Sequence, residues 1–515
     1  MAAIGERSAT LASMTALPTL EGPGDYIAGR FVDPTPREGE VVAVSPADTR
    51  DVIARYGFSA AQVDDAVVAA RAAFPAFRRL GEPARRELLF AYQSKLKEHR
   101  ELLALTIARE VGKPLWEAKT EVDAMIAKVD LSLGDGARFT ANETLETLPG
   151  EIRHAPLGVL AVIGPFNFPG HLPNGQIVPA LLTGNTVVHK PSEKTPCTAT
   201  LMARCMHEAG IPPGAFNVVQ GDGRIGAQLS EHAGIDGVLF TGSVAVGRRI
   251  AQANAPRPDR LIALELGGKN VSIALDDCDL ERTARAIVFA AFITAGQRCT
   301  ATSRLFVTQA IAPRLIARIA ELTRALRIGY VLEPDVFMGP VIAESARDAL
   351  LAAQAKARLN GFESVVTGAA LRVDHQHGFY VRPSIVRAES AELEVPGYTD
   401  TELFGPDLAV HVVREEGEAL ELAGRSRFGL TAGVFTASRE AFERAVDHLR
   451  VGVVCWNRPT AGASGRLPFG GVQDSGNHRP AGILAGLTCT YPLGLMLTPP
   501  DDAPIASWPG FPAAQ

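Results

Sequence analysis

From residue 157 onward the chain alternates short continuous apolar runs with segments of helical period, and this alternation restricts the possible folds more than any other feature. Residues 157–163 are apolar almost throughout and stop at Gly164-Pro165, as a strand buried on both faces should. Helix is then expected over 173–182, strand over 185–189, helix over 195–209, strand over 216–220, helix over 225–232 and strand over 237–240. Parallel strands need long return connections, so such a β-α-β-α series predicts a parallel sheet with crossover helices. The fold class is therefore α/β with a doubly wound sheet, and such sheets take nucleotides beyond the carboxyl ends of their strands. A second α/β region is expected from about Leu264, with helix over 283–295, strand over 304–308 and helix over 313–326, running on through 452–456.

Ahead of the sheet, residues 25–33 predict a strand pair closed by Ala28-Gly29-Arg30. Val63, Val67, Ala70 and Phe74 recur at helical spacing up to Pro75; the pattern resumes over 82–111, stops at Gly112-Lys113-Pro114 and resumes over 117–133. A length of 515 residues suggests two to four domains. The net charge of −6 offers no basic footprint for nucleic acid, and clusters such as Arg248-Arg249 read as solvated helix faces. No apolar stretch reaches the roughly 20 residues a membrane helix needs, and residues 1–26 lack the pattern of a secretory signal. They read as a loose tail in which Met14 could be the start, and a second tail is expected from Thr498. The six cysteines, 197, 205, 278, 299, 455 and 489, form no C-x-x-C pair and no zinc spacing, so no metal is expected. They suit a reducing compartment, hence the cytoplasm.

Cys299 follows an apolar helix that breaks at Gly296, in Gly296-Gln297-Arg298-Cys299-Thr300. It reads either as an inert buried thiol or as a nucleophile whose thiolate Arg298 favours. Glu265, in Leu264-Glu265-Leu266-Gly267-Gly268, is either a structural ion-pair partner or a general base raised by burial. Asn167, directly after the first buried strand, is either a turn residue or an amide aimed at an oxyanion. Lys190 and Glu193 end the second strand as a surface pair or as holders of ribose hydroxyls. Two glycine loops stand where strand meets helix. Gly221-Asp222-Gly223-Arg224-Ile225-Gly226 matches G-x-G-x-x-G, but no acidic residue ends the next strand. Gly242-Ser243-Val244-Ala245-Val246-Gly247 offers a helix N-terminus to phosphate.

Taken in series, G-P-F-N-F-P, K-P-S-E, F-T-G-S-x-x-x-G, L-E-L-G-G-K-N, G-Q-R-C-T, E-L-F-G-P and P-F-G-G-V-x-x-S-G resemble the aldehyde dehydrogenase superfamily from about Asp25 to about Leu493. The resemblance implies Cys299 as nucleophile, Glu265 as base, and Asn167 with the Cys299 N–H as oxyanion hole. It implies NAD as cofactor, with NADP disfavoured by the Glu193 carboxylate. Lys190 and Glu193 would hold the adenosine ribose, Gly242, Ser243, Val244, Ala245, Val246 and Gly247 the pyrophosphate, and Glu402 and Phe404 the nicotinamide riboside. The first glycine loop would then be a turn near the adenine. The implied architecture has a cofactor domain (25–140 and 155–263), a catalytic domain (264–450), a return segment lining the active site (451–480) and a bridging arm (141–154 and 481–495) that makes homodimers or homotetramers. The tails would be 1–24 and 496–515.

Finer matches at 120–126, 167–175, 456–460 and 475–480 resemble one branch, the N-succinylglutamate 5-semialdehyde dehydrogenases of bacterial arginine catabolism. A substrate with several carboxylates makes Arg298, His478 and Arg479 candidate anion contacts, or else helix caps and structural pairs. The chain departs from that branch at Phe166, at Lys269, at Ser464-Gly465-Arg466-Leu467 and after Pro480. An enzyme for another small acidic or aliphatic aldehyde therefore stays open, as do an acyl-transfer enzyme using the same cysteine and a silent binding protein on the same fold.

Overall fold

The computed structural model describes residues 24–146, 148–479, 481–498 and 508–512. Two seven-stranded sheets, each covered by helices, make up most of it. Across the first sheet the strands run Leu261–Glu265, Gly237–Thr241, Val159–Ile163, Thr186–Lys190, Phe216–Val218, Asp25–Ile27 and Arg30–Val32. The first five are parallel, and the strand pair expected at 25–33 closes the edge antiparallel. Chain order reverses between Val159–Ile163 and Gly237–Thr241. At that reversal the connections leave to opposite faces and open a crevice at the carboxyl ends. The loops after these two strands carry Asn167 and Gly242.

The second sheet runs Phe362–Val366, Ser384–Ala388, Asp407–Val413, Thr302–Thr308, Asn270–Ala274, Thr431–Phe435 and Val453–Trp456. All its neighbours are parallel except the first pair. Thr490–Met496 pairs antiparallel along the whole of Gly150–Pro156, with Glu143–Thr144 on the other edge, so strands from the two ranges 141–154 and 481–495 meet in one small sheet. The tail positions 1–23, with Met14, and most of the second tail lie outside the described residues. Among the described residues no helix is long and apolar enough to cross a membrane.

The structure moves several expected boundaries. The first helix does not stop at Pro75 but runs Ala61–Arg79 through it. Arg71 and Pro75 are both exposed, so water can satisfy the carbonyl that loses its N–H donor. The helical block over 82–111 is two helices, Glu82–Glu98 and Arg100–Val111, and the second ends at Gly112 with φ +79°. The helix expected to reach Ala295 ends at Phe292. Thr294, Ala295 and Gly296 then take φ of +57°, +52° and +69° in succession. A Cβ on Gly296 would collide with the Gly405 backbone, so the 402–406 segment packs directly on this turn. The turn delivers the following residues to the gap between the sheets.

Candidate active site

Cys299 leaves this turn at the junction of two cavities and lines both. Asn270, which opens a strand of the second sheet, holds the loop from below. Its amide donates to the carbonyls of Cys299 (2.6 Å) and Ala301 (2.9 Å). The approach is close enough that a Cβ on Gly268 would stand 2.6 Å from the Cys299 carbonyl oxygen. Asn167, 3% exposed, donates to the Gln297 carbonyl at 2.8 Å; the second hydrogen of an amide nitrogen remains available. The Cys299 thiol is pushed up to about 12, first by burial and then by the nearby Glu402 and Glu265 carboxylates, with Arg298 opposing.

Glu265 ends the edge strand of the first sheet and lines the same two cavities. It is buried, its Oε1 has no hydrogen-bond partner, and its carboxyl is held well above the usual range, chiefly by desolvation; a backbone N–H at Ala481 opposes. It forms no salt bridge among the described residues, so it is not a structural ion-pair partner there. An ionisable oxygen left unpaired beside a partly exposed thiol is what a general base requires.

The larger cavity, about 1040 Å³, runs along the carboxyl ends of the first sheet. Asn167, Lys190, Glu193, Gly242, Ser243, Val246, Glu402 and Phe404 all line it. Val244, Ala245 and Gly247 begin the helix Val244–Asn254 behind that wall, and a Cβ on Gly247 would collide with Leu266. Ser243 caps this helix by accepting from the Val246 N–H at 3.4 Å. Lys190 is buried with its ammonium 3.8 Å from the exposed Glu193, and burial lowers its pKa. Glu402 accepts from the Gly268 N–H at 2.8 Å, and burial pushes its carboxyl up to about 7. Phe404 meets Phe166 edge to face, ring centroids 5.7 Å apart. Both glycine loops reach the cleft, since Asp222, Gly223, Arg224 and Gly226 line it as well. Arg248 and Arg249 are both exposed, as expected of a solvated helix face; Arg248 pairs with Asp474, and Arg249, about 100° further round the helix, also lines the cleft. A cleft this large, with a capped helix N-terminus, a buried lysine and a carboxylate at strand ends, fits a dinucleotide.

The smaller cavity, about 250 Å³, opens on the other side of Cys299 and Glu265. Its walls come from the helix Leu115–Leu133 (Thr120, Glu121, Ala124, Lys128), the start of the helix His171–Leu182, and the segments 462–465 and 481–482. Arg298 lines it, but Glu117 takes up its charge at 2.8 Å, and the Thr294 hydroxyl also bonds Glu117. His478 and Arg479 are exposed and line neither cavity: Asn477 beside them turns inward to bond Leu264 and Ile262 instead. Asn270, Glu117, Glu121 and Lys128 were not singled out from the sequence. The signal of the last three is helical register: Glu117, Glu121, Met125, Lys128 and Ser132 share the buried face of one helix, where charge is unexpected.

Comparison with known proteins matches this geometry to one family. Residues 31–491 match the aldehyde dehydrogenase family. The chain is 42% identical over 475 residues to the N-succinylglutamate 5-semialdehyde dehydrogenase of Chromobacterium violaceum, covering 91% of this chain and 94% of that one. Its counterpart from Pseudomonas fluorescens is 40% identical, covering 94% and 98%. Among solved structures, an NAD-dependent aldehyde dehydrogenase from Sinorhizobium meliloti superposes with a TM-score of 0.89 at 30% identity, covering 96% of this chain and 98% of that one. A 1-pyrroline-5-carboxylate dehydrogenase from Thermus with bound NAD gives 0.85 at 30% identity, covering 92% of each. The chain belongs to the aldehyde dehydrogenase family.

Proposed function

We propose that this enzyme oxidises N-succinyl-L-glutamate 5-semialdehyde to N-succinyl-L-glutamate with NAD. The observation that carries the class is the meeting of Cys299 and the Glu265 carboxyl, with its Oε1 unpartnered, where two cavities join. The substrate reading is supported by relatives of that name at 40–42% identity over more than nine-tenths of both chains.

Cys299 adds to the aldehyde carbon as thiolate, and the oxyanion of the resulting thiohemiacetal takes hydrogen bonds from the Asn167 amide and the Cys299 N–H. When bound, NAD supplies the hydride acceptor that turns this adduct into a thioester. Lys190, Glu193, the Gly242–Gly247 loop, Glu402 and Phe404 hold the cofactor in the cleft. Glu265, buried and without a partner on Oε1, takes a proton from water, and the hydroxide equivalent releases the acid from Cys299. The Glu193 carboxylate accepts from ribose hydroxyls and repels a 2′-phosphate, which favours NAD over NADP. The arm sheet, with Tyr491 and Met496 exposed on its outer strand, pairs subunits into a homo-oligomer. The cytoplasm is the proposed location.

The test is NADH formation with N-succinylglutamate semialdehyde beside a panel of simple aldehydes, with Cys299→Ala as control. The succinylated substrate should lead by orders of magnitude in kcat/KM and the variant should be dead. A lead for simple aldehydes removes the substrate and keeps the class; full activity in Cys299→Ala removes both.

A further inference from the structure

The substrate cavity contains a buried cation that no group among the described residues neutralises. Lys128 is 5% exposed and lines the cavity that Cys299 lines. Its ammonium donates to one acceptor, the Gly482 carbonyl, at 2.9 Å, and forms no ion pair among the described residues. An ammonium has three hydrogens to donate, and burying one without a counter-charge is unfavourable. Burial alone lowers its pKa to about 8. The neighbouring cations differ. Arg298 is paired with Glu117, and Lys113 with Glu121 at 2.5 Å. Glu121, the carboxylate that shares the buried face of the helix two turns away, is fully used, since it also accepts from the Gly170 and His171 N–H groups at 3.0 and 3.1 Å. His171, on the same wall, has a buried Nδ1 without a partner and is held neutral, its pKa pushed down to about 4.

We propose that Lys128 seats a carboxylate carried by the aldehyde substrate, with the His171 ring beside it, and that this charge makes the enzyme select carboxylated aldehydes over neutral ones. The proposal rests on Cys299 being the nucleophile, because it is the shared cavity that places the carboxylate and the reacting aldehyde on one ligand. The Gly482 carbonyl orients the ammonium and leaves two hydrogens for the ligand. A lysine that only tied the helix Leu115–Leu133 to the 481–482 strand would do so without regard to the ligand's charge, and this difference is measurable.

The experiment compares 5-oxopentanoate with its methyl ester, which share the same carbon chain and differ in the charge and one methyl group, on wild-type enzyme, Lys128→Met and Lys128→Arg. In Lys128→Met, kcat/KM for the acid should fall by about 10²-fold through KM, as expected for a lost buried charge-assisted hydrogen bond. The ester should change less than about threefold, which also reports a folded site, and Lys128→Arg should recover most of the preference for the acid. Equal losses on acid and ester, or no loss on either, overturn the proposal. N-succinylglutamate semialdehyde is run in parallel to separate the two readings. If it is a poor substrate while 5-oxopentanoate depends on Lys128, the named substrate falls and the carboxylate seat stands. If it is the best substrate and Lys128→Met treats acid and ester alike, the seat falls and the substrate stands.

Discussion

On one side of Cys299 the cleft takes its wall from strand ends and the few residues that follow each: Asn167 after Ile163, Lys190 and Glu193, then Gly242 and Ser243 after Thr241. On the other side the substrate cavity takes its wall from helix faces and loops hundreds of residues apart: 120–128, 171–176, 462–465 and 481–482. The first construction depends on backbone, helix termini and short local spacing, and it suits a ligand whose shape does not change. The second depends on side chains brought together by packing, so a single position such as Lys128 can alter the ligand without disturbing the sheet. Cys299 and Glu265 belong to both walls, together with Leu172, Thr241 and Leu266, and changes there should affect both ligands at once.

Glu265→Gln tests that shared position and carries the largest effect. The amide keeps the shape and hydrogen-bonding volume but cannot take a proton from water. Steady turnover should fall by roughly 10²–10⁴-fold. A stopped-flow trace should still show a burst approaching one NADH per active site, because thiohemiacetal formation and oxidation do not need this base. A loss of the burst together with turnover would move Glu265 out of the hydrolytic step. Glu193→Ala comes next and should affect the cleft alone. The ratio of kcat/KM for NAD to that for NADP should drop by about 10-fold, the scale of one charge-assisted hydrogen bond to a partly exposed carboxylate. The aldehyde KM should stay within about twofold, and an unchanged cofactor ratio would remove Glu193 from the ribose.

The same contrast explains what could be read from the sequence. The parallel sheet and the cleft were legible because apolar runs, turn residues and motif residues lie within a few positions of one another. The strands Val159–Ile163 and Gly237–Thr241 stand within two residues of their expected bounds. The substrate wall was not. Arg298 reads as a free cation beside a cysteine, but its partner Glu117 lies 181 residues away in the chain. His478 and Arg479 read as anion contacts by charge, yet the segment turns Asn477 inward and leaves them exposed. Pro75 reads as a stop because the rule concerns a lost hydrogen bond, and it fails where solvent replaces that bond. Lys128 was visible only in the register of its helix, as a charge on a face that otherwise includes Val122, Met125 and Val129.

The two cavities should also respond to pH in opposite directions. Glu402 in the cleft has its carboxyl raised to about 7 by burial, with the Gly268 N–H and Lys269 opposing. As a ribose acceptor it works as carboxylate, so NAD affinity should rise as pH passes upward through about 7. Lys128 is lowered to about 8, again by burial, and works only as ammonium. Preference for a carboxylated aldehyde should therefore be lost as pH passes upward through about 8. The Cys299 thiol complicates any single profile, since its ionisation raises the rate with pH for every aldehyde. The ratio of kcat/KM for 5-oxopentanoate to that for its ester cancels this, because both substrates meet the same thiol in the same free enzyme. Between pH 7 and 9.5 that ratio should fall by about 20-fold, since a group titrating near 8 is about nine-tenths charged at the lower pH and only a few per cent charged at the upper. NAD affinity, read by fluorescence titration of Cys299→Ala, should over the same range be level or tighter. A ratio that holds constant would show that the selecting charge does not titrate there, pointing to Arg298 rather than Lys128; a ratio that falls in wild type and is flat in Lys128→Arg assigns the titration to Lys128 itself.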